Sequence, residues 1–147
     1  MTAYIIRHQI ARGISFDFIS ADGYYGNDAG FAQSIESLGY LYMLDIHSDK
    51  TIYLERPELL IPEPKSLKGA KPKRLKATTE DISASEYLRT LDSSQWQKLK
   101  MRNTAKDVLT CEYHFARVFI WNKVMNQVEP RMLVIRRTKS GKDTIEI

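Results

Sequence analysis

An aspartate stands between an apolar run and a glycine–tyrosine stretch in Phe18-Ile19-Ser20-Ala21-Asp22-Gly23-Tyr24-Tyr25-Gly26-Asn27. A carboxylate placed there can open a turn, cap a helix, or offer hard oxygen ligands to a metal ion at the end of a strand. Asp before Gly is a common turn pair, so the residues alone favour the first two readings. Asp28 reads as a helix-start residue. Asp45 and Asp49 fall around the end of the next strand as solvated charges, and Asp45 approaches Asp22 only if a sheet brings the two strand ends together. His8, His47 and His114 are far apart in sequence and lack metal-site spacing, so none is assigned a role. Tyr24 and Tyr25 suit base stacking or core packing, while Trp96 and Trp121 read as core or partner-facing aromatics rather than a DNA platform.

Positive charge is the second chemical feature. The formal net charge is +4, and the stretch Lys65 to Lys76 (KSLKGAKPKRLK) carries Lys65, Lys68, Lys71, Lys73, Arg74 and Lys76 with no acid among them. Two readings stand side by side: a solvated linker held open by Gly69, Pro72 and self-repulsion, or an arm that contacts phosphates. Binding to DNA that weakens with salt separates them. Cys111 is the sole cysteine, so no internal disulfide forms and a reducing cytoplasm is the expected compartment. A lone thiol of this kind reads as a small buried hydrophobe. No apolar run approaches the roughly 20 residues of a membrane helix, and Met1-Thr2-Ala3-Tyr4 lacks the order of a secretion signal.

The elements that must position these groups follow from periodicity. Tyr4 to Arg12 reads as a short helix closed by Gly13, and Phe16 to Ala21 as a strand ending beside Asp22. Gly26-Asn27-Asp28 offers N-cap chemistry to a helix carrying Phe31, Ile35 and Leu38 on one face and closed by Gly39, and Tyr40 to Ile46 is the next strand. Helix, strand, helix, strand is the order of an α/β layer with parallel strands joined by a right-handed crossover. After Lys50, Thr51 to Leu54 suits a short strand. Pro57, Pro62, Pro64 and Pro72 then impose an irregular, largely exposed excursion. Ser83 to Leu91 reads as a helix and Ser93 to Leu99 as a short turn. Val108 to Trp121 and Arg131 to Arg137 read as strands of an antiparallel hairpin around a polar turn, Asn122 to Pro130. Thr144-Ile145-Glu146-Ile147 alternates like the start of another strand.

This order of features resembles the DDE-superfamily transposases of bacterial insertion sequences, which have an RNase H-like catalytic core. The likeness rests on Ser20 to Asn27, then Phe31, then Leu38-Gly39-Tyr40-Leu41-Tyr42-Met43-Leu44. It is extended by Trp96 followed by Arg102-Asn103-Thr104-Ala105-Lys106, where Asn103 replaces a usual glycine, and by Leu133-Val134-Ile135-Arg136-Arg137. The resemblance implies an α/β fold: a partial RNase H-like core (helix-strand-helix-strand) over residues 1–50, followed over 51–147 by a mixed insertion with the basic excursion, a helix and a β-hairpin.

By the same resemblance Asp22 matches the second of three catalytic carboxylates and is both a catalytic residue and a metal ligand. The cofactor implied is Mg²⁺ or Mn²⁺, and the partners are the DNA of transposon ends and target. Two such ions about 3.5–4 Å apart activate a water or 3′-hydroxyl and stabilise the leaving oxygen. Gly23 and Gly26 are expected to let the loop turn tightly and admit nucleic acid to the backbone. Lys71, Lys73, Arg74, Arg102 and Lys106 are the expected DNA contacts. The family's first acid lies upstream of the matching region and its third downstream. The chain is therefore expected to be a middle fragment, inactive alone, whose first strand lacks a neighbour and whose exposed edge favours homo-oligomers. The rival reading is a non-catalytic nucleic-acid-binding module using residues 65–76.

Overall fold

Helix α1 (Thr2–Ala11) is released by Gly13, whose φ of 78° lets the chain reverse while its amide donates to the Ile10 carbonyl at 2.9 Å. The computed structural model describes residues 2–64, 71–103, 108–137 and 143–146. Strand β1 (Phe18–Ala21) leads through a single helical turn, α2 (Gly23–Gly26), to helix α3 (Ala29–Glu36) and strand β2 (Leu41–Leu44). Asp28 caps α3 as its type predicts: Oδ1 accepts from the Gly30 amide at 2.9 Å and the Phe31 amide at 3.3 Å. Gly39, with φ of 75°, turns the chain into β2.

The two strands run parallel, in register from Phe18 opposite Leu41 to Ala21 opposite Leu44. Their alternation puts Ile19, Ala21, Tyr42 and Leu44 against the buried Phe31 and Ile35 of α3, with Ile6 of α1 joining the cluster. The opposite face is bare. Phe18 and Leu41 are 60% and 77% exposed.

The rest of the described chain builds a second core. Strand β3 (Thr51–Ile52) pairs with β6 (Ile82–Ser83), and Tyr53 continues as a single bridge to Phe119. Among its described residues, the proline-containing excursion departs from irregular backbone in a two-residue antiparallel ladder between β4 (Leu59–Leu60) and β5 (Lys76–Ala77). Helix α4 (Ala84–Thr90) carries a capping box formed by Ser83 and Glu86. The turn expected over Ser93 to Leu99 is confined to a 3₁₀ turn, Ser93–Gln95. From Gln97 the chain is strand β7 (Gln97–Asn103), a correction that the alternation Lys98-Leu99-Lys100-Met101-Arg102 already signalled.

Strands β8 (Val108–Asn122) and β9 (Gln127–Arg137) form the expected hairpin, but with a shorter turn and longer strands. Asn122 Oδ1 accepts the Val124 and Met125 amides, and Asn126 takes the left-handed conformation at φ 53°. Pro130, expected in the turn, sits inside β9 opposite Phe119. The ladder tolerates it because Phe119 spends its amide and carbonyl on Tyr53 (2.8 and 2.9 Å), so this is a non-hydrogen-bonded pair and no donor is required of residue 130. With β10 (Asp143–Glu146) the sheet order is β10-β9-β8-β7, antiparallel throughout. Its inner face supplies Val118, Leu133, Ile135 and Ile145 to a core completed by Ile46, Ile52 and Ala84.

Candidate functional site

The site around Asp22 is built by the parallel strand pair. Asp22 follows the last residue of β1, and the Asp45 amide donates to the Ala21 carbonyl at 2.9 Å, so the two strand ends lie side by side. The condition under which Asp45 approaches Asp22 is thus met by the backbone. Asp22 is exposed and also caps α2, its Oδ1 accepting the Tyr24 amide at 3.2 Å. The cap and strand-end readings describe one residue, since a cap engages one oxygen and leaves the other to solvent.

The expectation of an open glycine loop is corrected. Residues 23–26 form a helical turn, and neither glycine has positive φ. Gly26 is buried because α2 rests directly on the end of β2: a Cβ there would lie 1.9 Å from the Asp45 carbonyl oxygen. A Cβ on Gly23 would meet the His47 ring at 3.2 Å. His47, given no role from its sequence spacing, therefore stands beside the Asp22 turn. Its position two residues beyond Asp45 was the available signal. Tyr25 packs on Phe31 with ring centroids 5.2 Å apart, whereas Tyr24 is 81% exposed.

His114 is a satisfied core histidine. Nδ1 donates to the Gln95 carbonyl at 2.9 Å, and Nε2 is hydrogen-bonded to the Tyr87 hydroxyl at 3.0 Å.

The cationic residues lie on other elements. Lys71, Lys73 and Arg74 are exposed in the excursion, and Lys73 and Arg74 line a groove with Lys76, Trp121 and Lys123. Arg102 is exposed on the edge strand β7, opposite Leu109. Lys65, Lys68 and Lys106 lie outside the described residues.

A family model described as DDE superfamily endonuclease matches residues 1–108. The chain belongs to this family. No curated protein and no solved structure gave a significant match. The stretch shared with DDE endonucleases runs across residue 50, taking in the Asp22 turn, the excursion, α4 and β7, and ends where β8 begins. Membership makes this a nuclease-class protein whose substrate is DNA, in a superfamily that uses divalent metals. No helix among the described residues of this DDE endonuclease is long and apolar enough to cross a membrane.

The donor set can be tested against that metal requirement. Asp22 is the right kind of ligand, a hard and accessible oxygen on a sheet-anchored backbone. Among the described residues, however, no group of three or more His, Cys, Asp or Glu could hold a metal ion.

Proposed function

We propose that this chain is part of an insertion-sequence DDE transposase and that Asp22 is one of the carboxylates that bind Mg²⁺ or Mn²⁺ during DNA cleavage and strand transfer. One observation carries the reading: within the stretch matched to DDE endonucleases, an exposed aspartate terminates one of two parallel strands whose ends are hydrogen-bonded together. The sheet fixes the backbone while the carboxylate faces solvent, which is what a metal ligand for a large polyanionic substrate requires. The bare face carrying Phe18 and Leu41 supports an RNase H-like layer that further structure covers. On this reading residues 1–50 are the catalytic layer and 51–147 the insertion, and the described residues alone do not cut DNA. Lys71, Lys73, Arg74, Arg102 and Lys106 contact the DNA backbone of transposon end and target.

The test is Mn²⁺ titration followed by NMR. Paramagnetic broadening is expected first at the amides of Gly23 and Tyr24, at millimolar metal, and is lost in Asp22→Asn. Nicking of plasmid by a form that supplies the other acids is expected to disappear with the same substitution. Broadening that ignores Asp22, or nicking that survives Asn at this position, removes Asp22 from the site.

A further inference from the structure

Two segments remote in sequence enclose an open groove of about 640 Å³. Lys73, Arg74 and Lys76 line one side, and the tip of the β8–β9 hairpin contributes Trp121, Lys123 and Asn126 to the other. All four cations are exposed, and among the described residues no acid lines the groove. Like charges gathered in this way repel one another unless a polyanion lies among them. Lys123 Nζ lies 5.4 Å from the centroid of the Trp121 ring, so cation and aromatic face share the site. The Trp121 indole N–H, shielded from solvent, has no acceptor among the described residues.

The groove does not end at Trp121. The pleat of β8 turns Phe119, Arg117, Phe115 and Tyr113 to the face opposite the buried Val118 and His114. Phe115 is 42% exposed and stacks on Tyr113 at 6.0 Å, and the Arg117 guanidinium lies 5.8 Å from the Phe119 centroid. A row of rings interrupted by Arg117 leads away from a cationic groove. Duplex DNA presents phosphates but keeps its base faces stacked, whereas a single strand presents both.

We propose that this groove and the adjoining row on β8 bind single-stranded DNA, with phosphates against Lys73, Arg74, Lys76 and Lys123 and bases against the half-buried Trp121 and the exposed Phe115. The inference rests on the reading of the chain as a DNA-processing protein and adds the strandedness of the DNA and the residues that select it. Trp121, which the sequence suggested was core or partner-facing, becomes the junction of the phosphate and base contacts.

Fluorescence anisotropy of the 147-residue chain, in chelator and at several salt concentrations, tests it with a labelled oligothymidine and a duplex of equal length. The single strand is expected to bind more tightly than the duplex. The double variant Lys76→Ala/Lys123→Ala, altered at two exposed positions, is expected to bind the single strand about tenfold more weakly at low salt. It should also shallow the slope of log affinity against log salt by about 1.4, two phosphate contacts at about 0.7 each. Phe115→Ser should weaken single-strand binding and leave duplex binding unchanged. Duplex binding as tight as single-strand binding, or a lysine variant indistinguishable from the parent, overturns the proposal. Because chelator removes metal, failure here leaves the Asp22 assignment standing, and failure of the Mn²⁺ broadening leaves this groove standing.

Discussion

A methyl group at position 26 has no space to occupy. A Cβ on Gly26 would stand 1.9 Å from the Asp45 carbonyl oxygen and 2.9 Å from its carbon, both backbone atoms that cannot rotate aside. Gly26→Ala must push α2 off the end of β2 and is expected to destabilise the fold by about 3 kcal/mol or more. Gly23→Ala meets the His47 ring, an exposed side chain free to swing away, and is expected to cost under about 1 kcal/mol. Urea unfolding of the two variants measures the difference; equal losses would mean that Gly26 serves turn geometry rather than contact. Both glycines were visible in the sequence, but the contact was not. The residue that excludes a side chain at Gly26 lies just beyond the end of β2, and no local pattern records how closely a helix will approach it. The strand before Asp22 and the cap at Asp28 were legible because their causes are neighbours in the chain. The approach of Asp45 and His47 depends on the parallel pairing, and so appeared only with the fold.

At the scale of elements, helix α4 shows how much stability local chemistry can supply. Ser83 Oγ accepts the Glu86 amide at 3.2 Å while Glu86 Oε2 accepts the Ser83 amide at 2.9 Å and the Ser83 hydroxyl at 2.7 Å. Ser83→Ala is expected to destabilise the protein by about 1 kcal/mol, read from its urea midpoint. These bonds hold the Glu86 carboxyl below the usual carboxylate range, through the Ser83 side chain first and its backbone second. Asp92, capping the following 3₁₀ turn through Ser94, is lowered in the same way. Depressed folded-state values stabilise above the unfolded-state range and lose that contribution as pH falls through the folded value. Acid titration below the ordinary carboxylate range should therefore loosen α4 and the turn that leads into β7, and in Glu86→Gln the share of this acid loss owed to α4 should shrink. The capping pattern and the hairpin were legible as short-range signals. The alternation of strand β7 is present but faint, because it sets mostly lysine and arginine against leucine and methionine, on an edge exposed along its whole length. Charged edge strands resist aggregation, and they also weaken the hydrophobic signal by which strands are recognised.

The whole molecule is joined where sequence patterns say least. Ile46 donates its amide to the Ile145 carbonyl at 3.1 Å, and Ala84 and Ser85 donate to Lys50 and Ser48, so the end of the α/β layer is stitched to the last strand and to α4. Such contacts close long loops, and their selection depends on the summed burial of both cores rather than on any local preference. Arg131 joins the layers electrostatically. Arg131 on β9 contacts Glu36 of α3 at 3.0 Å and pairs with Glu129 of its own strand, with 13% of its side chain exposed. Tyr42 of β2 feels the same group: burial pushes its hydroxyl above the ordinary phenol value, Arg131 pulls it down, and Glu36 and Glu129 push it up. Replacing Arg131 by Met keeps most of the stem's packing but leaves two carboxylates facing each other without a cation. The cost should be roughly 1–3 kcal/mol, below the roughly 3–5 of a fully buried pair, because Glu36 is half exposed and water screens it. The same substitution removes the influence that lowers Tyr42, so its phenol should ionise at still higher pH, followed by ultraviolet titration of the folded protein. A variant that loses stability while Tyr42 titrates as before would show that Arg131 acts through packing alone. A Tyr42 shift together with the stability loss would establish the ion pair as the electrostatic joint between the Asp22-bearing layer and the sheet that carries the cationic groove.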